Sequence, residues 1–120
     1  MGKSSGVGAT MKQGEVYWCT LPPPDKRRPV LILTRNSAIS FLSGITVAPL
    51  TTHIRTIPTE VVLTPETDGV SAECAVSLDN LQTVQKDSLD EYLTTLSTAR
   101  MREVIAAIEF ALGFNALTRK

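Results

Sequence analysis

A small α+β protein, mainly β, in which a bent antiparallel sheet is covered by one C-terminal amphipathic helix, is the fold class the sequence predicts. Three observations carry it. Short runs rich in β-branched and aromatic residues recur from Glu15 to Val84, bounded by Pro, Gly, Asn or Asp. One segment, Ser97 to Gly113, repeats apolar residues at the three- and four-residue spacing of a helix face. The 120 residues, 42% apolar and 20% charged, suit a single domain that can bury a core without metal or disulfide.

Residues 1–12 begin small and polar, lack the apolar stretch of a signal peptide, and read as a flexible leader before a domain spanning 13–117. Glu15–Thr20 alternates as a strand, and Pro22–Pro24 stops it because proline has no N–H to give a ladder. The continuous apolar run Pro29–Thr34 has the pattern of a central strand buried on both faces. Asn36–Gly44 reads as a loop with one helical turn at Ala38–Phe41. Ile45–Leu50 is the third strand, with Pro49 marking a bulge or its end.

A polar loop, Thr51–Thr56, leads to a fourth strand at Thr59–Leu63 and a turn at Thr64–Gly69. Cys74–Leu78 and Leu81–Val84 are a fifth strand and its continuation, broken by a bulge at Asp79–Asn80. Lys86–Leu96 reads as a turn and an edge segment. Ser97 or Thr98 caps the helix, whose inner face is Met101, Val104, Ile105, Ile108, Ala111 and Leu112, and Gly113 ends it.

The chain carries 12 Lys plus Arg against 12 Asp plus Glu, so it is no bulk binder of polyanions. The zero sum hides a split, +5 over residues 1–57 and −5 over 58–120. Lys26, Arg27, Arg28 and Arg35 fall close together, and such a cluster either holds phosphates or is a solvated loop. Cys19 and Cys74 are too few and too far apart for a disulfide framework, which points to a reducing, cytoplasmic setting. No apolar run approaches the roughly 18 residues of a membrane span, so no membrane partner is expected.

No glycine-rich phosphate loop, HExxH or CxxC pattern occurs. A zinc site would have to gather His53, Cys19 and Cys74 from distant strands, so neither metal nor cofactor is expected. What remains is Arg28 at the entry of the second strand, Thr51 and Thr52 at the end of the third, His53 beside them, and Asp79–Asn80 at the break in the fifth. A bent sheet can bring these strand ends together. They supply a fixed cation, hydroxyl donors, an imidazole, a carboxylate and an amide, a set able to handle a phosphodiester without a metal.

Five segments, Gly14–Trp18, Arg28–Leu33, Thr46–Thr52, Pro58–Val62 and Ser77–Val84, followed by the helix, resemble the MazF/PemK (Kid-like) toxins of bacterial type II toxin–antitoxin systems. They run in family order over nearly all of residues 13–114. The resemblance implies an SH3-like bent β-barrel with the same helix, a homodimer, and silencing by a cognate MazE-like antitoxin with an acidic, disordered segment. It also implies a metal-independent endoribonuclease that cuts single-stranded RNA at short sequences. By the same resemblance the catalytic arginine is Arg28, the catalytic threonine Thr51, and the acidic position of some members Asp79, with Asn80 its neighbour. Three departures stand out. Ser77 occupies the place of a second arginine in those members, the loop at 22–27 is shorter and stiffer than their glycine-containing loop, and His53 stands where members usually carry a small polar residue or glutamine.

RNA carries its own nucleophile, so a protein need only align the 2′-hydroxyl with phosphorus, move protons and stabilise the phosphorane, leaving a 2′,3′-cyclic phosphate and a 5′-hydroxyl. Arg28 suits the non-bridging oxygens and Thr51 a positioning role, while Thr52 either doubles it or caps the strand end. His53 and Asp79 are the two acid–base candidates. Each also has a plain reading, as an exposed loop imidazole and as a carboxylate paired with Arg28. Lys26, Arg27, Arg35 and Arg55 are backbone grips or surface charge.

Base recognition calls for aromatic or arginine planes, and Tyr17, Trp18 and Phe41 are the aromatics near the basic region. Tyr17 and Trp18 point to opposite faces of their strand. Two other classes compete. A non-catalytic CcdB-like toxin, poisoning a protein such as DNA gyrase, would use apolar residues such as those of Phe114–Leu117 and has no need of Arg28 with Thr51. An SH3-like peptide-binding module would need a groove lined with aromatics, which are scarce here at 5%.

Overall fold

The computed structural model describes residues 11–24 and 26–118. Its seven strands are β1 (Glu15–Thr20), β2 (Arg27–Ile32), β3 (Gly44–Thr51), β4 (Glu60–Leu63), β5 (Cys74–Ser77), β6 (Gln82–Gln85) and β7 (Leu89–Thr95). All pair antiparallel in the order β4-β5-β3-β2-β1-β7, with β6 also against β3. The result is the expected bent sheet, open at β4 and β7 instead of closed into a barrel. A long helix, Thr98–Leu112, and a short one, Phe114–Thr118, follow it. Among the described residues no helix is long and apolar enough to cross a membrane.

Side-chain alternation along β2 divides the core in two. Leu31 joins Val16, Leu50, Val76 and Val104 on one face. Val30 and Ile32 join Tyr17, Ile45 and Val47 on the other. Burial on both faces is what the continuous apolar run predicts. Met11 is buried in the second cluster, so the packed chain begins before Gln13, while residues 1–10 of the expected leader lie outside the described residues.

Val104 and Ala107 of the long helix cover the first cluster, with Met101, Ile108 and Ala111 partly buried beside them. Ile105 and Leu112, expected on that face, are instead about half exposed, at 54% and 50%. Neighbouring helical residues point about 100° apart, so with Val104 at the centre of the contact Ile105 is turned off it. Ser97 is the cap, its Oγ accepting from Arg100 N at 3.1 Å, and Gly113 ends the helix in the left-handed region at φ 79°.

Pro49 does not end its strand. It lies within β3 opposite Val30, in the gap between the β6 pairing, which ends at Val47, and the β5 pairing, which starts at Leu50. β5 and β6 run along one side of β3 as a strand and its continuation, as expected. The break between them is a one-turn 3-10 helix, Leu78–Asn80, and not a bulge, because the connection is longer than the stretch of β3 it passes. The expected turn at Thr64–Gly69 contains a single helical turn, Pro65–Asp68, capped by Thr64.

Asp68 ties this turn to the rest of the molecule. Its buried carboxylate accepts from Thr64 N at 2.9 Å and from Arg100 Nε and Nη2 at 3.0 and 3.2 Å. Its carbonyl accepts from Thr94 Oγ1 at 2.8 Å. The carboxylate also raises the pKa of the Arg100 guanidinium, fixing the helix start against β7 and the turn.

Candidate active site

The β2–β3 ladder pairs Val30 with Pro49, and continuing that register by two residues sets Arg28 across from Thr51. Directly opposed residues of an antiparallel pair share a face. On this face Val30, Ile32, Ile45 and Val47 fill the core, so Arg28 and Thr51 stand where the apolar packing stops and the strand ends begin. The β3–β5 register, continued in the same way, brings Ser77 beside Pro49. Ser77 is buried, and its Oγ accepts from Asn80 Nδ2 at 2.7 Å, which orients the amide.

Arg28, Thr51, Asn80, His53 and Arg55 line one polar cleft of about 280 Å³. Thr51 Oγ1 accepts from His53 N at 3.0 Å, so the hydroxyl keeps its own hydrogen to donate to a bound group. Arg55 is held at the rim by Glu60, whose Oε1 accepts from Arg55 N at 2.9 Å and Oε2 from Nε at 3.1 Å. The Glu60 side chain is fully buried, and this pairing is what makes its burial tolerable.

The two acid–base candidates part company here. His53 lines the cleft, whereas Asp79 faces Thr59, whose Oγ1 donates to Asp79 Oδ2 at 2.6 Å. Lys26, Arg27 and Thr52 border an open hollow of about 550 Å³ that shares Arg28 and Thr51 with the cleft and so joins it at the catalytic candidates. Arg27 is already engaged. Its Nη2 and Nε reach Asp90 at 2.7 and 3.3 Å, Nη2 reaches Glu91 at 3.2 Å, and the guanidinium lies 4.7 Å from the Trp18 ring centroid. Its hydrogen bond to the Asp90 carboxylate raises its pKa above the ordinary value.

Arg35, expected among the backbone grips, is not brought to the cleft. Seven residues along an extended chain separate it from Arg28, about 20 Å, and it contacts Ser37 Oγ instead, at 3.2 Å. Cys19 and Cys74 lie in different core clusters. Burial, with Asp90 adding to it, pushes the Cys19 thiol up to about 11; burial, then Asp68 and Glu73, does the same to Cys74. Neither thiol is a nucleophile at neutral pH.

Sequence reasoning did not find Gln82 on the cleft wall, nor Glu60 beneath Arg55. Gln82 owes its place to the β3–β6 register, for which the sequence carries no marker. Glu60 did leave a signal, a carboxylate inside a run of β-branched residues.

Residues 12–112 match the family described as the PemK-like, MazF-like toxins of type II toxin–antitoxin systems. The chain belongs to this family. Probable endoribonuclease MazF5 of Mycobacterium tuberculosis is 41% identical over 100 residues, which cover 83% of this chain and 91% of that protein. The Mycobacterium tuberculosis toxin MazF-mt6 has a solved structure similar at a TM-score of 0.75 and 34% identity, over 82% of this chain and 96% of that one. A mycobacterial endoribonuclease in complex with its cognate antitoxin is similar at 0.74 and 32%, over 85% and 94%. The match takes in the five strand segments and the long helix, which turns its inner face to the same core as Leu50 and Val76.

Proposed function

We propose that this chain is the toxin of a toxin–antitoxin pair, an endoribonuclease that cuts single-stranded RNA in the cleft between Arg28 and Thr51. The observation that carries this reading is the register that sets those two side chains across from each other at the mouth of one polar cleft, in a chain of this family. The curated relatives are endoribonucleases. A toxin that only poisons a protein partner has no use for the pair.

In the cleft, Arg28 faces the non-bridging phosphate oxygens as negative charge grows on them, and the free hydrogen of Thr51 fixes the same phosphate. His53, the titratable side chain on the cleft wall beside Thr51, moves the proton, since the arginines stay charged and cannot act as a base. Asn80 and Arg55 hold the neighbouring backbone, and Lys26 extends the grip into the hollow. The 2′-hydroxyl is the nucleophile, so no cofactor enters the reaction, and the ends left are a 2′,3′-cyclic phosphate and a 5′-hydroxyl.

An acidic antitoxin segment competes for the same basic rim, a partner in keeping with the solved mycobacterial toxin–antitoxin complex. A homodimer is supported by the exposed apolar side chains Ile105, Phe110, Leu112 and Phe114. An RNA substrate, together with Cys19 and Cys74 not joined in a disulfide, supports a cytoplasmic setting.

The test is purified protein with a long single-stranded RNA in EDTA, the fragment ends mapped by primer extension. Discrete cuts with 5′-hydroxyl ends are expected, and Arg28→Ala, folded by circular dichroism, lowers the rate about 100- to 1000-fold. RNA left intact by the folded wild-type protein at micromolar concentration overturns the reading.

A further inference from the structure

Beside the polar cleft, on the opposite face of β2 and β3, the structure holds a second, apolar slot of about 170 Å³. Trp18, Pro29, Leu50, Val70, Cys74 and Leu93 form its walls, and Thr51 and Thr52 stand at its rim. The two faces follow from strand alternation. Trp18 pairs with Pro29 across β1 and β2, and Leu50 and Thr52 flank Thr51 and point away from its face. The basic hollow holding Lys26 and Arg27 shares Trp18, Pro29, Leu50, Thr51 and Thr52 with the slot, and Arg28 and Thr51 with the cleft, so it bridges the two over the strand ends.

We infer that this slot is a nucleobase pocket: it takes the base of a nucleotide flanking the scissile phosphate, with Trp18 as its stacking surface. The inference rests on the ribonuclease reading and assigns a specificity residue within it. A phosphodiester seated at Arg28 and Thr51 has a base within one nucleotide on either side, and this slot is an apolar space walled by Trp18 that borders Thr51 itself. Unstacked bases are held on aromatic planes, and the indole is the aromatic that borders both slot and hollow. Tyr17 is unavailable because it is buried in the core.

Asp90 and Glu91 clamp Arg27 over the indole, which fixes the ring at the border of slot and hollow. Thr52, exposed at the rim, offers a hydroxyl that can read the edge of the base.

Trp18 is the one tryptophan of the chain, so intrinsic indole fluorescence reports on this position alone. The experiment titrates the wild-type protein with a short single-stranded RNA made uncleavable by 2′-O-methylation and labelled for anisotropy. Indole quenching that saturates with the anisotropy supports the pocket. In parallel, 5′-hydroxyl ends are sequenced from a long RNA cut by Trp18→Phe and Trp18→Leu. Phe keeps the wild-type cut sites, whereas Leu relaxes the preference at one flanking position and raises KM roughly tenfold with a smaller change in kcat.

RNA binding without any change in indole fluorescence, or cut sites identical in Trp18→Leu, overturns the pocket while the nuclease stands. An emission shift that follows protein concentration and ignores RNA also overturns it, and gives the slot to a second copy of the chain. Absence of both binding and cleavage overturns the ribonuclease reading itself.

Discussion

Thr51 borders the cleft, the hollow and the apolar slot at once. Its hydroxyl accepts from His53 N and keeps a hydrogen to give. Thr51→Ser, which keeps that hydrogen, should stay within a few-fold of wild-type cleavage, and Thr51→Val, which keeps the shape, should lose about 100-fold in kcat. Both are measured on a short labelled RNA; equal rates for Val and Ser would remove Thr51 from the reaction. Arg28 and Thr51 were legible in the sequence because both sit at the ends of strands that composition marks. For Asp79 the sequence carried no sign of its hydrogen-bond partner. Its partner Thr59 lies 20 residues upstream, and only the packing of the Leu78–Asn80 turn against the start of β4 brings the two together.

Elements come next, and the tightest is the turn after β4. Gly69 has φ 77°, and a Cβ built there would sit 2.7 Å from Thr94 Oγ1, the group that donates to the Asp68 carbonyl. Gly113 has φ 79° with open space around it. Each costs about 1 kcal/mol as alanine through backbone conformation alone. Gly69→Ala should lose more than Gly113→Ala because it also displaces Thr94, and urea midpoints compare the two. Equal losses would show that the Thr94 contact contributes nothing. Both glycines were legible as stops, through Pro65 and Gly69 around the turn and the end of the apolar periodicity before Gly113. The 3-10 turn between β5 and β6 was not, because a bulge and a helical turn break a strand pattern alike.

For the whole molecule, the charge split between chain halves, visible in the sequence, becomes ion pairing between them: Arg27 meets Asp90 and Glu91, and Arg55 meets Glu60. The pairing could not be read beforehand, since β7 reaches β1 only through the full sheet order. Each of the two core clusters also holds one cysteine whose pKa rises from 9.0 to about 11 on folding. The folded state therefore holds those protons more tightly, and their contribution is complete below pH 9 and lost as pH rises through about 11. Urea unfolding followed from pH 8 to 11 should show stability falling less steeply when Cys19 and Cys74 are both alanine. The same slope in both proteins would mean that the thiols do not couple to folding.

The long helix covers the core from the C-terminal end of the chain, and that order has a meaning in time. A ribosome has made every residue of the cleft by Gln82, yet Val104 and Ala107, which close the core behind Leu50 and Val76, are added afterwards. Asp68 likewise waits for Arg100 to neutralise it. The cleft residues are thus translated before the helix that braces them, so their aligned form waits until residues 98–112 have been added.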